Sequence, residues 1–420
     1  MAEAFSLLFV FFLLAMVATK VWLALRQIRH VAAHAAAVPP QFATRISIEA
    51  HRKAAAYTIA KQKLGLVETG VGAIVLLALT LGGGVQALAE LLGAWLGYGY
   101  AFQLAIVVAV VVVTSLIDLP FAWYRQFRIE QAFGFNRMTP GLFVADLVKS
   151  VLLAATLGLP ILAVVLWLMQ QAGELWWVYA WAVWIGFNAL LLVIFPTVIA
   201  PLFNRFEPLR DETLAQRIQR LVERTGFASR GVFVMDGSRR SSHGNAYFTG
   251  LGRSKRIVFF DTLLARLAPP EIEAVLAHEL GHFKLRHIAK RLAFSFFAGF
   301  VLFAALGWLA AEPWFYQGLG VTPVAGARND GLALVLFFLV LPVFTFFFAP
   351  LASLLSRRHE FEADAFAARE TKAEDLVSAL VKLYEDNAST LTPDPVHSAF
   401  YDSHPPAAVR VQRLLAAGRA

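Results

Sequence analysis

Cysteine is absent from all 420 residues. That excludes disulfides, thiol nucleophiles, Cys-X-X-Cys redox chemistry and Cys-ligated structural zinc, although it does not identify a compartment. Any metal ion must be held by His, Asp or Glu. Charge is also scarce: 16% of the residues are Asp, Glu, Lys or Arg against 58% hydrophobic, and mean hydropathy is +0.62. Soluble globular domains carry about 25% charged residues, so this balance excludes that class and indicates a polytopic membrane protein. The net charge of +8 needs no nucleic-acid partner, because Lys and Arg next to membrane spans face anionic headgroups on the cytoplasmic side. No internal repeat or low-complexity linker interrupts the chain.

What is present is a series of apolar runs long enough to cross a bilayer, which takes about 20 residues each. They lie at 4–25, 65–92, 102–124, 142–170, 176–201, 288–310 and 331–355. The first follows "MAEA", which lacks a positive n-region, and its apolar stretch is too long for a signal peptide, so it reads as a retained span. The connections alternate in charge. The first carries Arg26, Arg29, Arg45, Arg52, Lys53, Lys61 and Lys63, the next ("GAWLGYGYA") has no Lys or Arg, "RQFRIEQAFGFNR" is basic and "QAGEL" is not. Residues 202–287 are basic, 311–330 carry only Arg328, and the segment from Arg357 onward is basic again. Basic loops stay inside, so seven spans place the N-terminus outside and the C-terminus in the cytoplasm. Residues 202–287 and 356–420 then share the cytoplasmic face.

Between spans five and six the sequence changes character. "DETLAQRIQRLVERTG" has helical periodicity, and "GVFVMD", "NAYFTG" and "RIVFFDTLL" read as short strands. In "APPEIEAVLAHELGHFKLRH" the paired prolines fit a helix start, with Glu271 and Glu273 in the first turn, where carboxylates complement the macrodipole. His278 and His282, four apart on one helical face, can present two imidazoles to one Zn2+, with Glu279 beside them to take a proton from water. A catalytic zinc site needs a third protein ligand. Two spans return "SRRHEFEADAFAARE" to the same face, where Glu360 can complete the set and Asp364, four residues on, can accept the free ring N–H of a liganding histidine. For Glu362 and Glu370 a solvated acidic face is the preferred reading.

"AHELGHF", "SRRHEFEADAFA", "NAYFTG" and "SHPPAAVRVQRL", together with "RIEQAFGFNRMT" and "APLFNRFEPL" in the N-terminal half, resemble the integral-membrane zinc metallopeptidases of the CAAX prenyl protease type 1 family. The resemblance covers most of the chain. It implies His278, His282 and Glu360 as ligands of one Zn2+, Glu279 as general base, Asp364 behind the ligands and Arg410 packed near the site. It also implies His404 as donor to the oxyanion. On residues alone His404 is a turn histidine before two prolines. Asn245, Ala246 and Tyr247 match the family's segment whose strand edge pairs with an extended substrate, where unaided they read as an ordinary strand.

The expected fold is an all-α polytopic membrane protein. About seven transmembrane helices enclose a chamber, and a small cytosolic α+β zinc metallopeptidase domain accompanies them. Residues 1–201 form a five-span membrane domain, and 202–420 the peptidase domain, with spans 288–310 and 331–355 and a cytosolic tail. Glu68, Asp118, Asp146 and Lys149 within apparent spans either face water in such a chamber or, for Asp118 and Lys149, snorkel to the interface. The expected partners are membrane lipid and a peptide or protein substrate. The family's named reaction removes a C-terminal tripeptide next to a prenylated cysteine. Arg in excess of Lys and abundant Ala suit a GC-rich bacterial genome, and so a bacterial inner membrane, where quality control of unprenylated membrane proteins is the alternative. A transporter or an inactive scaffold fits the spans but leaves the complete His–Glu set without a use.

Overall fold

Seven helices are long and apolar enough to cross a membrane among the residues described by the computed structural model, 1–227, 231–249 and 256–417. They are Ala2–His34, Ile48–Leu79, Tyr100–Glu130, Pro140–Gln171, Gly173–Phe203, His287–Leu309 and Asp330–Glu370, here called the first to seventh spans. A helix satisfies its own backbone where no water can, and the free amides at the starts find side-chain acceptors. Ser47 accepts from the Ala50 amide at 3.1 Å, and Thr139 from Leu142 at 3.2 Å just before Pro140. A 32-residue span such as the second or fourth is about 48 Å long at 1.5 Å per residue, well beyond a hydrocarbon core of about 30 Å.

Two boundaries differ from the sequence reading. The apolar run 65–92 is not one span: the helix ends at Leu79, the chain turns through Gly83 at φ 78°, and a separate helix runs Gly84–Leu96. Continuous hydropathy hid the break, which the three consecutive glycines permit. The seventh run does not stop at 355 but continues to Glu370, tightening into one 3-10 turn at Phe346–Phe348. Glu360 and Asp364 therefore lie on the same rod that crosses the membrane.

All seven spans pack together at one end, and a smaller cluster of Ala54, Tyr57, Leu64 and Ile129 joins the second and third at the other. Phe9 and Leu13, Leu79, Phe102 and Ile106, Leu166, Trp176, Leu306, and Leu332 and Leu336 join in one apolar cluster drawn from all seven. Past this plug no side chain is buried between Val110 and Ile129 of the third span, before Leu166 of the fourth, or between Ala180 and Pro196 of the fifth. A solid bundle buries one face of each helix along its length. Spans that pack at their ends and leave the middle of the third, fourth and fifth unburied enclose a chamber.

The described residues of 204–286 and 371–417, outside the spans, cap the other end. Strands β1 (Phe206–Pro208), β2 (Val232–Met235), β3 (Ala246–Thr249) and β4 (Arg256–Phe260) form a sheet in the order β1-β2-β4-β3, with only the β2–β4 pair parallel. β1, three residues ending in proline, is too short to show a period and was not anticipated. The helix Glu212–Thr225, capped by Asp211 accepting from the Leu214 amide at 2.9 Å, buries Leu214, Ile218 and Leu221. These pack with Ile257 and Phe259 of β4 and with Ile272 and Leu276 of the helix Pro269–Lys284. The expected tail contributes to this core: Leu376 and Leu380 of Ala373–Asp386 and Val411 and Leu414 of Ala407–Ala417 are buried in it. Each such side chain contributes about 1.5–3 kcal/mol on burial.

Three of the four ionisable residues noted in the spans have partners. Asp146 forms a two-pronged pair with Arg240, outside the spans, at 2.8 and 3.0 Å, Glu68 pairs with Arg125 at 2.6 Å, and Lys149 donates to the Leu202 carbonyl at 2.9 Å. Asp118 is exposed.

The helix Pro269–Lys284 crosses the end of the seventh span at Gly281. A Cβ there would meet the Ala363 Cα at 3.0 Å and the Phe366 Cβ at 3.1 Å. The two helices approach this closely because the side chain is missing. Gly281→Ala should therefore cost about 1–3 kcal/mol by overpacking, read as a lower thermal midpoint in detergent. Gly158→Ala, with nothing within 4 Å, should leave the midpoint in place. Equal midpoints for the two variants would show that the crossing tolerates a methyl group.

Candidate metal centre

The helix Pro269–Lys284 begins where the sequence suggests. Pro269 and Pro270 occupy its first positions, and Glu271 accepts from the Ala268 amide at 2.7 Å while taking bonds from Ser378 and Lys382 at 2.7 and 2.8 Å. Its apolar face is fixed in the core by Ile272, Leu276 and Leu280. That leaves His278, Glu279 and His282 on the side facing the seventh span and a cavity.

The three expected ligands converge. The Nε2 atoms of His278 and His282 are 3.3 Å apart, with Glu360 Oε2 3.4 Å from the first and Oε1 3.2 Å from the second. One ligand atom from each lies within 4.8 Å of the others. All three are lone-pair donors aimed at a common point, and Glu360 Oε2 is buried without a hydrogen-bond partner. Buried acceptors are normally satisfied, so this set fits a cation bound by two imidazoles and a carboxylate.

The surroundings reinforce the demand for positive charge. Asp364 Oδ1 lies 2.9 Å from His278 Nδ1, which fixes the proton there and leaves Nε2 with its lone pair. Arg410 in turn donates to both Asp364 oxygens at 2.9 and 2.6 Å from a buried position. Burial alone would pull the His278 imidazole down, but its bonds to Asp364 and Glu360 outweigh it and push the group up to about 9, so that without an ion a proton on Nε2 answers these carboxylates, and a cation bound there would take that proton's place. Burial pushes the Glu279 carboxyl above the ordinary range, as suits a group that must hold a proton in passing.

A cavity of about 350 Å³ opens on this cluster, lined by His278, Glu279, His404 and Arg410 on one side and Gly244, Asn245 and Ala246 on another. His404 is exposed at the cavity edge, its Nε2 3.5 Å from Glu360 Oε1 and its Nδ1 bonded to Ser403 at 3.0 Å. The prolines after it stop the chain before the helix Ala407–Ala417 that delivers Arg410. Among the described residues β3 is the last strand of the sheet, and one of its edges is unpaired beside Glu279. Tyr247 points elsewhere: its hydroxyl donates to Met235 Sδ at 3.8 Å and its ring packs on Phe260, as alternation along a strand requires.

Two polar chains escaped the sequence reading. His287 Nδ1 lies 3.0 Å from His282 Nδ1, and His287 Nε2 lies 2.9 Å from Glu362. Glu362 is therefore not on an idle solvated face; that reading had no way to anticipate the bend that returns His287. The bend is at Arg286, held in the left-handed region at φ 57°, which costs a non-glycine residue about 1–2 kcal/mol. In the second chain Tyr57 donates to Glu130 at 2.5 Å, Glu130 meets His243 at 3.4 Å, and His243 meets Asn387 at 3.1 Å. Asn387 also accepts from the Gly244 amide at 3.2 Å, so the membrane part supports the start of β3. The one sequence signal is Glu130, a lone acid in a basic aromatic loop.

The family model for the CAAX prenyl protease N-terminal region, five membrane helices, matches residues 27–205, and that for peptidase family M48 matches 208–417. The chain is 38% identical over 309 residues to CAAX prenyl protease 1 homolog of Arabidopsis thaliana, covering 72% of this chain and 70% of that protein. It is 38% identical over 315 residues to CAAX prenyl protease 1 of Saccharomyces cerevisiae (72% and 69% covered), and 31% over 432 residues to the Homo sapiens homolog (90% and 88%). The crystal structure of S. mikatae Ste24p superposes with a TM-score of 0.91 at 32% identity, covering 98% of this chain and 99% of that one. The chain belongs to the CAAX prenyl protease 1 family, as an integral-membrane metallopeptidase of family M48.

Proposed function

We propose that the resident metal is a single Zn2+ held by His278, His282 and Glu360, and that the enzyme removes a C-terminal tripeptide next to a prenylated cysteine. The observation that carries the site assignment is the convergence of three lone-pair donors beside Glu279, His404 and an open strand edge on one cavity. The chemistry of this donor set suits zinc, with two neutral imidazoles and one carboxylate leaving a position open. When bound, such an ion polarises a peptide carbonyl and acidifies water.

The chain's own residues supply the rest. Glu279 removes the proton of the attacking water and carries it to the leaving amine, for which burial has raised its affinity. His404, exposed at the cavity edge, donates to the oxyanion. Asp364 keeps His278 in the tautomer that presents Nε2, and Arg410 holds Asp364. Asn245, Ala246 and Tyr247 offer backbone groups of the open β3 edge to an extended peptide. Val275, Leu376, Leu380 and Leu383 line the cavity and suit an aliphatic side chain after the scissile bond. Residues 1–201 then act as chamber and 202–420 as peptidase, with the centre on the cytoplasmic face, a reading supported by the charge alternation, of a bacterial inner membrane, a reading supported by Arg in excess of Lys and abundant Ala.

Glu279→Gln should lower turnover by at least about a hundredfold while keeping one zinc per chain by elemental analysis; near wild-type cleavage would remove Glu279 as base. His404→Ala should lower kcat by about 10²–10³-fold with zinc content and KM little changed, whereas a rise in KM alone would make it a binding group. Cleavage of a farnesylated CAAX peptide should exceed that of the same peptide without its lipid. Equal rates would remove prenyl recognition and leave quality control of unprenylated substrates as the reading.

A further inference from the structure

We propose that His287 and Glu362 form a positioning pair that fixes the tautomer and orientation of His282 as a metal ligand; this rests on the proposed metal centre. The argument is a proton count. A neutral imidazole has one N–H and one lone pair. If His287 Nε2 donates to Glu362 at 2.9 Å, its Nδ1 is an acceptor. The group facing that acceptor at 3.0 Å is His282 Nδ1, which must then carry the proton of its own ring. The lone pair of His282 is left on Nε2, the atom that meets Glu360 at 3.2 Å. His278 receives the same service directly from Asp364. The two liganding histidines are thus each tied to a carboxylate, one at first hand and one through an intervening imidazole.

Two further features fit this role. His287 is 1% exposed although it stands at the start of a membrane span, and the left-handed turn at Arg286 brings it back over His282. Strain of this kind persists where the surroundings enforce it and gathers at functional sites.

The same neighbourhood offers a rival. His287, His359 and Glu362 also bring ligand atoms within 4.8 Å of one another, as a second metal site would. Both nitrogens of His287 are already engaged, however. Arg358 binds Glu362 at 3.2 Å, and Lys290 and Arg291 share a pocket wall with His359. A second dication would meet three positive charges and would force two ring N–H groups against each other.

The test is zinc affinity of the full-length protein in detergent, measured by competition with a chromophoric chelator. His287→Ala and Glu362→Ala should each weaken zinc binding by about 10–100-fold. Glu362→Gln, which keeps an acceptor for His287, should restore affinity to within a few-fold of wild type. His359→Ala, which removes only the ring stacked on His287 at 4.1 Å, should stay within about twofold. Unchanged affinity in His287→Ala and Glu362→Ala, or equal weakening in His359→Ala, overturns the positioning role, as does a stoichiometry of two zinc ions per chain lost on mutating His359. If instead His278→Ala and His282→Ala bind zinc as wild type does, the metal centre itself fails.

Discussion

The crossing of two helices at Gly281 is the contact on which the catalytic end depends. One helix carries His278 and His282, the other Glu360 and Asp364, and the ligand atoms must come within about 3.5 Å of one another. Side chains of this length reach that far only if the helix axes lie close. The missing Cβ at Gly281, facing the Ala363 backbone at 3.0 Å from where a methyl group would sit, makes that approach possible. A helix-interior glycine disfavours helix by about 1 kcal/mol relative to alanine, a small local loss set against the burial of Ile272, Leu276, Leu280, Phe366 and Ala367 in one core.

That crossing also explains why peptidase chemistry resides in a membrane protein. The second rod is the seventh span, one helix from Asp330 to Glu370. Its apolar half packs in the plug with Phe102 and Leu166, and its polar half in the peptidase core. The position of Glu360 is therefore set at both ends, by lipid-embedded packing and by soluble packing. The hollow between them follows from the same arrangement: the third, fourth and fifth spans have no buried core through their middles, and the soluble part is joined to the spans at the far end through Asp146–Arg240 and the Tyr57–Glu130–His243–Asn387 chain.

Much of this was legible in the sequence because the signals are local. The spans follow from hydropathy, the helix start at Pro269 from its prolines and acids, and the His278–His282 pair from a spacing of four. Counting membrane crossings returned Glu360 and Asp364 to the same side as His278 and His282, with which they are in contact. What could not be read depended on backbone turns or distant pairings. The glycine break at Gly83 is invisible to average hydropathy, β1 is too short for a period, and His287 reaches His282 only through a left-handed residue that no pattern announces. His404 and Arg410 were legible only by resemblance, because their place is set by docking of the last helix into the core.

That docking gives the site a logic of charge. Glu360 and Asp364 are both buried, and a buried carboxylate without a counter-charge is costly. Arg410, from the final helix, answers Asp364 with two hydrogen bonds. Nothing comparable answers Glu360, which meets only imidazoles and a guanidinium atom at 3.9 Å. The asymmetry is what a cation site requires: the carboxylate behind the ligands is neutralised by a fixed side chain, and the one among them is left for the ion. The helix Pro269–Lys284, the membrane rod and the final helix share an apolar core behind this centre, so an ion there would add one more tie between parts already joined through Asp146–Arg240.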